Sequence, residues 1–158
     1  MLEGLRESLK RRSARQRDRR FLEATMAASA LVAYADGQVD FSERMRLDQI
    51  LDQLDRLQAF DAQDAINQFN VLVEGLQSNP ERGHARAMEA VEVFAGDRGS
   101  ARLMVRVACH LCVADGDFSD AEQRRVAELC LKLKIRPEDC DLEEIIRANK
   151  ERPYTKER

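Results

Sequence analysis

Two nine-residue stretches, Ala35-Asp36-Gly37-Gln38-Val39-Asp40-Phe41-Ser42-Glu43 and Ala114-Asp115-Gly116-Asp117-Phe118-Ser119-Asp120-Ala121-Glu122, correspond to one another at a constant offset of 79 positions. Their shared pattern is Ala-Asp-Gly, then an apolar residue two places on, then Glu four places after that. Apolar residues follow each turn at the same offset, Leu47, Ile50 and Leu54 matching Val126, Leu129 and Leu133. A chain built this way reads as a helical hairpin used twice, with other elements inserted between the copies. Two hairpins in one small domain pack most simply face to face, which would bring the two acidic turns together.

The rest of the sequence agrees with a helical reading. At 158 residues with 44% hydrophobic residues, the chain is long enough for one domain with a real core. Seven Gly, three Pro and no Trp, amid abundant Ala, Leu, Glu, Arg and Gln, favour helix over strand. A first helix is predicted from about Arg20 to Ala35, and a second from Asp40 with Met45, Leu47, Ile50, Leu51 and Leu54 inward. Asp61 and Asp64 open a third, carrying Ile66, Phe69, Leu72, Val73 and Leu76. Asn79 before Pro80 caps a fourth with Ala87, Met88, Val91 and Phe94. Ser100 opens a fifth, Ser119 a sixth, and Asp141, with Glu144 three places on, a short last one. The expected fold is an all-α, single-domain bundle of about seven helices. It divides into a basic arm at 1–19, a helical domain at 20–150 and a charged tail at 151–158.

Charge is unevenly spread. Residues 1–20 hold eight cations against three acids, a balance of +5, so the remaining chain carries −8 of the net −3. No basic face extends over the domain, which argues against nucleic acid as a partner. Lys10, Arg11, Arg12 and Arg15 are instead the candidates for contact with an anionic membrane surface or an acidic partner, with Leu2, Leu5 and Leu9 spaced for an amphipathic helix. The longest apolar run, Ala24 to Ala35, falls short of the roughly 20 residues that span a bilayer. It imitates a secretory signal ending at Ala33-Tyr34-Ala35, but the basic region before it is too long, and the matching helix near Ala114 has the same texture without that role. A cytoplasmic protein, peripheral to the inner membrane if the arm engages it, is the expectation.

The acidic turns support two readings. Turn chemistry explains most of them: Gly37 and Gly116 stand where a left-handed helix terminator belongs, and Asp40 with Glu43, or Ser119 with Glu122, forms a capping box. It does not explain Asp36 and Asp115, which place a carboxylate at a helix C-terminus, where the macrodipole is already negative. Each turn also matches the second half of an EF-hand loop, while Val32, Tyr34, Leu111 and Val113 occupy the positions that would have to donate oxygens in the first half. One turn alone therefore cannot satisfy a hard cation that wants about six oxygens or more. Pooled, Asp36, Asp40, Glu43, Asp115, Asp117 and Glu122 could, and oxygen donors without His or thiolate suit calcium, magnesium or manganese. Cys109-His110-Leu111-Cys112 has C-x-x-C spacing, but Cys130 and Cys140 stand apart from it in sequence, so core packing is the better reading. His84 and His110 have no partners in triad order. No catalytic apparatus is legible, and an enzyme is not expected.

Several segments together make the chain resemble the tellurite-resistance TerB family. They are the paired turns, Ala59-Phe60-Asp61 followed by Phe69-Asn70, Arg106-Val107-Ala108 leading to Asp115-Gly116-Asp117-Phe118, and Leu129-Cys130 before Ile135. The resemblance spans roughly residues 20–145. It implies a bundle of about seven helices, a bacterial stress-response role, an acidic cluster that takes a divalent metal, and other tellurite-resistance proteins, a membrane protein among them, as partners. Related domains at the front of membrane-anchored co-chaperones share the acidic turn, so the fold leaves the process open. The alternative is a helical interaction scaffold, without metal, recruited to a membrane surface or a membrane-bound partner by the basic arm.

Overall fold

The second half of the first helix is apolar or small at almost every position, and such a segment is stable only when other elements surround it. In the computed structural model, which describes residues 2–35, 37, 61–112 and 118–151, this segment is the centre of the domain. Helix α1 runs unbroken over Leu2–Ala33. From Phe21 to Ala33 every residue except Glu23 is buried. Ala24, Ala27, Ala28 and Ala30 leave room for neighbouring helices to approach closely, and the two hydroxyls in the same stretch are satisfied within the helix. Thr25 Oγ donates to the Phe21 carbonyl at 2.7 Å, and Ser29 Oγ to the Thr25 carbonyl at 2.7 Å.

Around this axis pack α2 (Ala62–Ser78), α3 (Pro80–Glu92), α4 (Arg98–Cys112) and α5 (Asp120–Leu133). A 3-10 turn at Pro137–Cys140 and α6 (Leu142–Glu151) lie against α4. The core joins Phe21, Met26 and Leu31 of α1 to Phe69 of α2, Met104 and Leu111 of α4, and Leu129 and Leu133 of α5. Phe21 and Phe94 meet edge to face, with ring centroids 5.6 Å apart. The described residues are helical and contain no strand, as the composition implies. The helix expected from Asp40, with Leu47, Ile50 and Leu54, lies outside the described residues.

Local chemistry sets the element borders. Asp61 caps α2 by accepting from the Gln63 amide at 3.0 Å, and Asn79 caps α3 by accepting from the Arg82 amide at 3.2 Å, with Pro80 at the first helical position. Helix α4 starts earlier than the sequence suggests. Asp97, not Ser100, is the capping side chain, and its two oxygens take the Ser100 amide at 3.3 Å and the Ser100 hydroxyl at 2.8 Å. Gly96, at φ 90°, supplies the left-handed residue that lets the chain turn just before it. The basic stretch and the first predicted helix are one element, with burial beginning at Phe21, and α6 ends at Glu151, the first residue of the stretch read as a charged tail.

Candidate functional site

Helix α1 closes on the first acidic turn through short-range bonds: the Tyr34 amide to the Ala30 carbonyl at 2.9 Å, Ala35 to Val32 at 3.1 Å, and Gly37 to Tyr34 at 2.8 Å. Gly37 has φ 82°, the left-handed conformation expected of a terminator. Asp36, Asp40 and Glu43 lie outside the described residues. On the other side, α4 ends at Cys112, 79 residues after Ala33 ends α1, so the two helices stop at corresponding positions. These two helices pack directly against one another. Asp115 and Asp117 also fall outside the described residues, and the chain is described again from Phe118, which is half-buried against the core.

Of the six candidate ligands, Glu122 alone is described, and it serves as a cap. The Glu122 amide donates to Ser119 Oγ at 3.1 Å, and the Ser119 amide donates to Glu122 Oε1 at 3.4 Å, the two halves of a capping box. Its side chain is buried, 8% exposed, and close enough to Cys109 of α4 to help raise that thiol's pKa. Among the described residues no group of three or more His, Cys, Asp or Glu is arranged to hold a metal ion. Of the basic candidates, Lys10 and Arg11 are exposed on α1. Arg12 and Arg15 belong to the same helix, but their side chains lie outside the described set.

The described cysteine side chains behave as core residues. Cys109, Cys130 and Cys140 are buried free thiols. Burial pushes the Cys109 thiol up to about 12, with smaller contributions from Cys140 and Glu122. Cys130 and Cys140, which stand apart in sequence, meet in space: Cys130 hydrogen-bonds to Cys140, and that bond together with burial raises the Cys130 pKa. The reversal that joins them is made by Lys134, left-handed at φ 59°, after which the Ile135 amide returns to the Cys130 carbonyl at 3.0 Å. A lysine in that conformation carries no sequence signal, which is why the pairing was not legible. Cys109 and Cys130, held protonated and shielded, are poor nucleophiles and poor metal ligands, whereas the same hydrogen bond from Cys130 lowers the pKa of Cys140.

Other contacts that the sequence did not reveal are structural. Arg102 Nε donates to the Asp139 carbonyl at 2.6 Å, and Arg102 and Arg106 each approach Asp141 at 3.5 Å, so α4 holds the 3-10 turn and the start of α6 in place. Asp141 sits at φ 52° just before α6, with its carboxylate directed at these arginines. Arg136 donates to Asp139 and holds its carboxyl below the usual carboxylate range. His84 Nε2 of α3 lies 2.9 Å from Glu128 Oε1 of α5. No described helix is long and apolar enough to cross a membrane.

Comparison with known proteins agrees with this helical frame. The family described as Tellurite resistance protein TerB matches residues 22–144, from the first buried turn of α1 into α6. A Tellurium resistance protein TerB from an Alcaligenes species is 28% identical over 102 residues, which is 65% of this chain and 84% of that protein. No solved structure matches the chain. With the family pattern covering every described element from the buried half of α1 to the start of α6, this chain belongs to the TerB family of tellurite-resistance proteins.

Proposed function

We propose that the chain serves tellurite resistance as a non-enzymatic metal-binding protein, whose two acidic turns together hold one hard divalent cation: calcium, magnesium or manganese. The observation that carries this reading is the recurrence of Asp36 and Asp115 just beyond helices that end 79 residues apart and pack on one another. A carboxylate at a helix C-terminus adds negative charge where the backbone already presents it, and a bound cation removes that repulsion. Asp36, Asp40, Glu43, Asp115 and Asp117 supply the oxygens, waters complete the shell, and neither turn alone reaches the required number. Glu122 is engaged in its capping box, so it joins the ion only by giving up that bond. Tellurite is itself an oxyanion and is repelled by such a cluster, so the ion held there is a cation.

Calorimetric titration with calcium, magnesium and manganese tests the reading. Saturable binding of at least one ion by the wild type, lost in an Asp36→Asn, Asp115→Asn double variant, is the expected result. Identical flat traces from both proteins would leave only helix connectors at these turns.

A further inference from the structure

Nothing in the described fold covers the first half of α1. Burial begins at Phe21, and before it Leu2, Leu5 and Leu9 are exposed at 74%, 60% and 56%. At 1.5 Å per residue, residues 2–20 form a solvated helix about 28 Å long, and solvent-exposed leucines in register on such a helix are unusual for a soluble surface. At about 100° per residue, the three leucines fall within roughly 60° of one another. Arg6 and Lys10 lie on one side of this stripe, about 65° and about 105° from its centre, while Glu3 and Glu7 lie more than about 120° from it. Over residues 11–20 the cations continue through Arg11, Arg17, Arg19 and Arg20.

We propose that residues 2–20 lie along the surface of an anionic phospholipid bilayer, with Leu2, Leu5 and Leu9 in the acyl boundary and the arginines and lysine of the same segment reaching the headgroups. The placement of charge decides among occupants. Cations beside the leucines can extend toward lipid phosphates while both acids of the first turns face water, the arrangement of an interfacial helix. A second copy suits the stripe poorly. The spacing of Leu2, Leu5 and Leu9 continues into Arg12, Gln16 and Arg19, so a paired helix would lose its apolar seam and bring like charges together. The inference is independent of the metal reading, since it uses no residue of the acidic turns.

The test is co-sedimentation of the full chain with vesicles of phosphatidylcholine alone or mixed with phosphatidylglycerol. The wild type is expected to pellet with the mixed vesicles only and to be released by salt. Substituting Leu2, Leu5 and Leu9 together by Ser weakens binding about tenfold or more, and because these side chains are exposed the far-ultraviolet circular dichroism signal remains that of a folded bundle. The chain has no Trp, so Leu5→Trp reports insertion directly through a blue-shifted emission on mixed vesicles. The proposal is overturned if the wild type stays in the supernatant at low salt, or if the triple Ser variant binds as well as the wild type. It is also overturned if Leu5→Trp emission shifts with protein concentration in the absence of lipid, the result for a second copy. Equal displacement of wild type and triple Ser variant by soluble polyglutamate would likewise overturn it, in favour of an acidic protein partner.

Discussion

Replacing Gly83 by Ala sets two effects of opposite sign against each other at one atom. Gly83 is inside α3, where Ala is favoured over Gly by about 1 kcal/mol of helix propensity. Yet a Cβ built there meets the Gly75 carbonyl oxygen at 2.7 Å, its carbon at 2.8 Å and the Leu76 amide nitrogen at 2.8 Å. All three are backbone atoms of α2 and cannot rotate away, so α3 must move outward as a body. One and two turns further along, it carries Ala87 and Val91 into the core. Overpacking of this kind costs about 1–3 kcal/mol, and backbone on both sides places it in the upper part of that range. The net expectation is a loss of about 1–2 kcal/mol, or roughly 2–8 °C in Tm for a domain of this size. Gly75→Ala is the control. Its Cβ meets nothing within 4 Å, so the propensity term stands alone and stability rises by about 0.5–1 kcal/mol. Urea denaturation of the three proteins, followed by circular dichroism, gives both numbers. If Gly83→Ala matches or exceeds the wild type, the close crossing of α2 and α3 is not as described.

Further consequences are measurable in the same way. Ser119→Ala removes one half of the α5 capping box and costs about 1 kcal/mol in urea denaturation. Lys134→Gly relieves a left-handed non-glycine residue at the end of α5 and raises stability by about 0.5–1 kcal/mol. The Cys109 thiol is raised in the folded state, so the folded protein keeps a proton that the unfolded chain loses. Stability is therefore complete below the ordinary thiol range near 8.5 and falls as pH rises toward about 12, at about 1.4 kcal/mol per unit for that thiol. A Cys109→Ala variant, compared with the wild type from neutral to alkaline pH, should show a shallower decline.

Where side-chain chemistry acts locally, the sequence revealed the fold. Asn79-Pro80 and Ser119 with Glu122 mark helix starts because a short polar side chain can reach an amide two or three residues on. Apolar residues at helical three-to-four spacing pointed to Phe69, Leu129 and Leu133 as inward-facing, and all three are in the core. What escaped depends on tertiary context. Asp97 and Ser100 are both good caps, and only the turn at Gly96 decides between them. The meeting of Cys130 with Cys140 follows from a left-handed lysine that no propensity favours. For the candidate site, the sequence supplied the residues and their offset. The structure adds the matched ends and packing of α1 and α4 and the capping role of Glu122.

Whether the turns work as one centre is a matter of stoichiometry. Manganese paramagnetic resonance on the wild type and on the single variants Asp36→Asn and Asp115→Asn counts bound ions per chain. One ion per wild-type chain, released by either single substitution, is the result expected of a shared centre. Two ions lost one at a time, or no bound ion under conditions where calcium and magnesium also fail to bind, would contradict it.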